Sequence, residues 1–358
     1  MAPVVRQLKE TPGIDSRVCV TAQHRQMLDQ VLKLFNIVPD HDLDLMRENQ
    51  TLAEMAASIF THLDPVLAEY QPDWVLAVGD TTTVVTTSLL AFYRRIKFGH
   101  VEAGLRTHNK WHPFPEEINR RLATTTADLH FAPTQWSRQN LLHENVPDET
   151  IVVTGNPVID ALGFVSQQEE PQEIQELLGH LEIQQEGSRR LILLTAHRRE
   201  NFGKPIEDIC RAIQALASRG DVEIVYPVHL NPNVQEPVNR LLKNVPHVTL
   251  LPPLDYLPLV HLMKRATLIL TDSGGIQEEA PAFGVPVLVL RETTQRPEGI
   301  EAGTLKLVGT DTDRIIQEAS QLLDDQTAYA QMARAANPYG DGQAAERIVA
   351  ALLRAGSL

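Results

Sequence analysis

Three segments carry carboxylates in settings suited to proton transfer. They are Gly79-Asp80-Thr-Thr-Thr83, His100-Val-Glu-Ala-Gly-Leu-Arg-Thr107 with Glu102, and Pro113-Phe-Pro-Glu-Glu-Ile-Asn-Arg120 with Glu116. Carboxylates held by a fold can act as general base and general acid on a group with an abstractable proton. Each also has an ordinary alternative: Asp80 as a helix cap, Glu102 in an ion pair with its neighbours, Glu116 as a first-turn glutamate facing the helix dipole. A second set is cationic. Thr195-Ala-His-Arg-Arg-Glu-Asn201 packs His197 and Arg198 into one turn, and Arg296 follows another apolar run, an arrangement that suits an anionic ligand. The third set is Asp272-Ser-Gly-Gly-Ile-Gln-Glu-Glu279, an apolar run passing through a glycine-bearing turn into a helical pattern. Ser273 can cap that helix, Gly274 and Gly275 admit a phosphate close to backbone N–H groups, and Glu279 can accept from ribose hydroxyls one turn further on. The plain alternative is a capped helix whose glutamates merely complement its dipole.

The elements that must position these groups alternate. Residues 18–21, 74–78, 128–132 and 150–154 read as strands, with helical patterns at 1–8, 84–96 and 134–144, the last capped by Thr134. A polar run over 167–185 follows Gly155-Asn-Pro157 and marks a junction. A second series places strands at 190–195, 222–226, 248–251, 267–271 and 286–290, and a final helix at 343–354. The expected class is α/β, with two Rossmann-like doubly wound domains facing a cleft. Their expected extents are 1–160 and 161–340, with a C-terminal helix over 341–358 packing back on the first. The chain opens on a helix with no strand before it. In the common strand order the absent strand would be central, leaving unpaired edges within the sheet.

Composition narrows the function. The 358 residues are 43% hydrophobic and 22% charged, as in a globular protein, and the net charge of -14 speaks against nucleic acid or an anionic membrane as partner. Apolar runs are strand-sized, and Cys19 and Cys210 lack metal-site spacing, so no metal is expected and a cytoplasmic location fits. No strand leads into GxGxxG, so a nicotinamide cofactor is not indicated, and no other cofactor is expected. A nucleoside diphosphate bearing an acidic C–H group fits the three sets of residues best.

Taken together, Gly79-Asp80-Thr-Thr-Thr83, His100 to Thr107, Pro113-Phe-Pro-Glu-Glu117, His197-Arg-Arg-Glu-Asn201, Asp272 to Glu279 and Arg296-Pro-Glu298 resemble the bacterial non-hydrolysing UDP-N-acetylglucosamine 2-epimerases over nearly the whole chain. The resemblance implies a GT-B-like architecture that closes on its substrate, and interconversion of UDP-GlcNAc and UDP-ManNAc through elimination of UDP to 2-acetamidoglucal and re-addition. It assigns Asp80, Glu102 and Glu116 to acid/base work and His197 to the diphosphate. Ser273, Gly274, Gly275 and Arg296 are assigned to the phosphates and Glu279 to the ribose. It further implies a homodimer, and a second UDP-GlcNAc bound as activator by residues matching Gln23, His24, Gln26, Arg198 and His229. Where close relatives carry an Arg, this chain has Asn49, with Arg47 nearby.

Family members begin with a strand and a Gly-Thr-Arg-Pro-Glu turn, and Met1-Ala-Pro-Val-Val-Arg-Gln-Leu8 resembles the helix that follows it. The expectation is that Met1 is an internal methionine of a longer protein and that the chain as given folds poorly or turns over slowly. The competing functions are a hydrolysing 2-epimerase releasing UDP and N-acetylmannosamine, a glycosyltransferase of the same fold, and a UDP-sugar binding protein without turnover.

Overall fold

The computed structural model describes residues 1–22, 25–47, 50–181, 183 and 189–356, leaving aside the side chains of Gln26 and Met27. The chain divides into two α/β units, Met1–Ala161 with Tyr339–Leu358, and Leu162–Pro338.

In the first unit β1 (Cys19–Val20) pairs in parallel with β2 (His41–Asp42). β3 (Trp74–Val78), β4 (Lys97–Val101), β5 (Leu129–Ala132) and β6 (Ile151–Val153) form a separate parallel sheet in that order. The strand expected over 18–21 is thus only two residues long, and its partner was not foreseen. β2 is polar and shows no apolar alternation; Asp40 starts the pairing, its Oδ2 accepting from the Val18 amide at 2.8 Å. The helix Gln135–His143 begins as its sequence predicts, with Thr134 Oγ1 accepting from the Ser137 amide at 3.1 Å. The helix Ala344–Gly356 is held by Asp160, whose carboxylate accepts from the Ala344 and Ala345 amides at 3.1 and 2.8 Å. Its apolar face puts Ile348 and Leu352 into one core with Val4, Val101 and Phe131. Each such side chain contributes about 2 kcal/mol by leaving water.

In the second unit the parallel strands are β7 (Arg190–Thr195), β8 (Val222–Pro227), β9 (Val248–Leu251), β10 (Leu268–Thr271), β11 (Val287–Val289) and β12 (Leu305–Leu307). They lie in the order β12-β11-β10-β7-β8-β9. Ile206, Ile209, Ile213 and Leu216 stripe the helix Lys204–Ala217 and bury against strand residues such as Ile192, Leu194 and Ile224. Strand order reverses between β7 and β10. Their carboxyl ends therefore flank a switch point, where sheets of this kind take ligands. No helix of the described residues is long and apolar enough to cross a membrane.

Gly104 is required by both conformation and space. Its φ is +91°, and a Cβ there would lie 2.2 Å from the Ser137 carbonyl oxygen. Gly104→Ala is expected to cost at least ~2 kcal/mol in urea unfolding. Gly163, inside the helix Pro157–Ser166 with open space around it, is the control. There an alanine should add up to ~1 kcal/mol.

Candidate active site

In the first unit the three expected carboxylates are brought into one locality. Asp80 follows β3, and Glu102 follows the adjacent β4. Gly79 adopts the left-handed φ of +84°, and a Cβ there would make only ordinary contact with Glu102 Oε2, at 3.4 Å, so the two turns adjoin. Asp80 is not the cap of the helix Thr82–Tyr93; Thr81 holds that position. Instead the Asp80 carboxylate accepts from Arg120 Nε at 2.9 Å and Nη2 at 2.6 Å, and its carbonyl accepts from Asn119 Nδ2 at 2.9 Å. Both donors sit one turn beyond Glu116 on the helix Glu116–Thr126, which ties that glutamate to the same region. Glu116 Oε2 is buried and has no hydrogen-bond partner among the described residues.

Glu102 has φ at +65°, in the left-handed range that non-glycine residues avoid, as has His108 further along the same loop at +60°. Its carboxylate accepts from Asn156 Nδ2 at 3.3 Å. The expected alternative, pairing with Arg106, does not form: Arg106 is buried in a two-point bridge to Glu144 at 2.9 and 2.8 Å. His100 is buried, and desolvation pushes its imidazole down to about 4. The neutral ring puts Nε2 2.8 Å from the Gly79 carbonyl, which only accepts, so Nε2–H donates and fixes the turn ahead of Asp80.

In the second unit the turns after β7 and β10 meet. Asp272 Oδ2 accepts from the His197 and Arg198 amides, both at 2.8 Å, and from Asn201 Nδ2 at 3.0 Å. The His197 ring stacks on His229 with centroids 5.6 Å apart. Burial, followed by the neighbouring Arg291, lowers the Arg198 guanidinium from its usual range. Ser273 stands at the start of the helix Gly274–Glu279, but its side chain makes no capping bond; its amide donates to Thr271 Oγ1 at 2.9 Å instead. The Arg296 guanidinium comes within 3.1 Å of where a Gly274 Cβ would be, and Arg296 Nε donates to Glu278 Oε1 at 2.8 Å. Glu279 is buried, and desolvation together with Glu278 raises its carboxyl to about 8. Of the residues expected to bind an activator, Arg198 and His229 lie in this unit, Gln23 and His24 fall outside the described residues, and so does the side chain of Gln26.

Sequence reading missed Arg120, Asn119, Asn156 and Asp272. The spacing of Glu116, Asn119 and Arg120 on one helix was the available sign for the first two. Asn156 was read only as part of a junction, and Asp272 only as the lead into a glycine turn.

Two parallel α/β units, one with carboxylates at its strand ends and one with an anion-ready switch point, define an enzyme of the GT-B-like class. The sequence model of the UDP-N-acetylglucosamine 2-epimerase family matches residues 6–353. The UDP-N-acetylglucosamine 2-epimerase of Salmonella typhimurium is 56% identical over 354 residues, 98% of this chain and 94% of that protein. That of Escherichia coli strain K12 is 56% identical over 356 residues, with the same coverage. The crystal structure of the Neisseria meningitidis UDP-GlcNAc 2-epimerase bound to UDP-GlcNAc superposes with a TM-score of 0.90 at 49% identity, covering 99% of this chain and 96% of that one. The chain belongs to the UDP-N-acetylglucosamine 2-epimerase family. Its activity is that of an isomerase.

The raised carboxyl of Glu279 sets a pH dependence. The unfolded chain releases this proton near 4.5 and the folded chain near 8, so stability is lost as pH rises between the two. Glu279→Gln removes that loss. The variant should melt above the wild type at pH ~8 and converge with it near pH ~4.

Proposed function

We propose that the chain is a non-hydrolysing epimerase that converts UDP-N-acetylglucosamine to UDP-N-acetylmannosamine reversibly, without cofactor. A carboxylate of the first unit takes the C2 proton, the C1–O bond breaks with its electron pair passing to the diphosphate, and a C1–C2 double bond forms. Re-addition of a proton to the opposite face of C2 and of UDP oxygen to C1 completes the inversion. Asp80, Glu102 and Glu116 are the candidates for the two proton transfers. His197, Ser273, Gly274, Gly275 and Arg296 hold the departing diphosphate, and Glu279 meets the ribose.

The observation that carries this reading is Glu116 Oε2, a buried carboxylate oxygen without a donor, in the same locality as the strained Glu102 and the Arg120-held Asp80. Acid/base chemistry needs such groups, and simple glycosyl transfer leaves them without a task. The Neisseria protein, solved with UDP-GlcNAc, supports the substrate. A homodimer acting in the cytoplasm is part of the same proposal.

The test is proton NMR of UDP-GlcNAc with the purified protein in D₂O. Loss of the C2 proton signal with growth of UDP-ManNAc is expected. Free N-acetylmannosamine and UDP would mark the hydrolysing reaction, and tight binding without exchange a binding protein. Glu102→Gln and Glu116→Gln should each lower turnover by ~10²-fold or more with little change in melting temperature. A second UDP-GlcNAc acting through Arg198 and His229, with Gln23, His24 and Gln26, would make the rate depend sigmoidally on substrate; a hyperbolic curve removes that part of the proposal.

A further inference from the structure

Asp272 is wholly buried directly after β10. One of its carboxylate oxygens, Oδ2, is saturated by the His197 and Arg198 amides and by Asn201. The other, Oδ1, is buried with no hydrogen-bond partner among the described residues, and His197 Nδ1 lies 3.4 Å from it. A buried carboxylate oxygen without a donor is costly, and a carboxylate can only accept. The imidazole Nδ1–H is the donor placed to serve it.

We infer that Asp272 is a positioning residue for the epimerase reaction: its Oδ1 selects the Nδ1–H tautomer of His197 and leaves Nε2 as the ring nitrogen available to the diphosphate. This rests on the proposed place of His197 beside that group. The same carboxylate fixes the backbone of the turn through Oδ2, so orientation and tautomer are set by one side chain. The charged and titratable groups acting on the ring are Asp272, Arg198 and the stacked His229. Burial lowers His197 first, and Arg198 and His229 act in the same direction; Asp272 alone opposes them. Its charge thus keeps the ring able to take a proton and, from Nε2, to donate toward oxygen atoms gaining negative charge as the C1–O bond breaks.

Asp272→Asn tests this. An asparagine oxygen can still receive the turn amides, while its NH₂ group, facing Nδ1, favours the opposite tautomer. Long-range ¹H–¹⁵N spectra of the substrate-free protein, with His197 assigned by its disappearance in His197→Gln, read the tautomer directly. The wild type should show Nδ1–H. Asp272→Asn should show Nε2–H, a lower His197 pKa, and a kcat reduced at least ~10-fold with a smaller change in KM. An Nε2–H tautomer in the neutral wild-type ring overturns the inference, and that measurement does not depend on Asp272→Asn folding. An unchanged tautomer and pKa in folded Asp272→Asn overturns it as well. Because the spectra are taken without substrate, they report on Asp272 independently of whether His197 serves the reaction. Turnover of His197→Gln equal to wild type would instead remove His197 from the diphosphate.

Discussion

A carboxylate taken out of water draws hydrogen-bond donors to itself, and each unit ties its candidate site turns to one such group. In the first unit Glu117, wholly buried, accepts from the Thr107 and His108 amides at 3.0 and 3.1 Å and from Arg120 Nη1 at 3.2 Å. The loop after β4 is thereby fastened to the helix that carries Glu116 and to the guanidinium that holds Asp80. In the second unit Asp272 fastens the turn after β7 to that after β10. Removing Arg120 from Glu117 would strand a buried charge at a cost of about 3–5 kcal/mol, and leaving Asp272 short of an amide donor would cost about 1–3 kcal/mol.

The chemistry follows from what this fastening leaves unpaired. Arg120 answers Asp80, and Arg106 is occupied by Glu144. Glu116 retains a buried oxygen with no hydrogen-bond partner among the described residues, which an arriving ligand could serve. In the second unit Arg291 and Arg296 are balanced by Glu200 and Glu278. Arg198 feels both arginines as like charges. An arriving diphosphate would relieve that repulsion, which is how a chain of net charge -14 can hold an anion.

Much of the fold is legible in the sequence because parallel strands buried on both faces read as short apolar runs, and because Thr134 announces its helix by residue type. β2 is not legible, since two polar residues joined through Asp40 carry no period. The three candidate carboxylates could be named from their segments, but their partners could not. Arg120 meets Asp80 across 40 residues and Asn156 meets Glu102 across 54, and spacing along the chain shows only neighbours within one element. Ser273 shows the converse: its residue type announces a cap, yet the Thr271 hydroxyl takes its amide and the side chain is left out of the capping bond. The neutral state of Glu279 follows from burial beside Glu278, which no linear pattern encodes.

The first unit is discontinuous in sequence, and this constrains its history on the ribosome. Its core includes Ile348 and Leu352, on a helix seated by Asp160, while Leu162–Pro338 belong to the other unit. Translation delivers the whole of the second unit before that helix exists. The first unit therefore cannot complete its core until its last residues are made, after those of the second unit, so it cannot finish ahead of the second in the usual N-terminal-first order of domain folding.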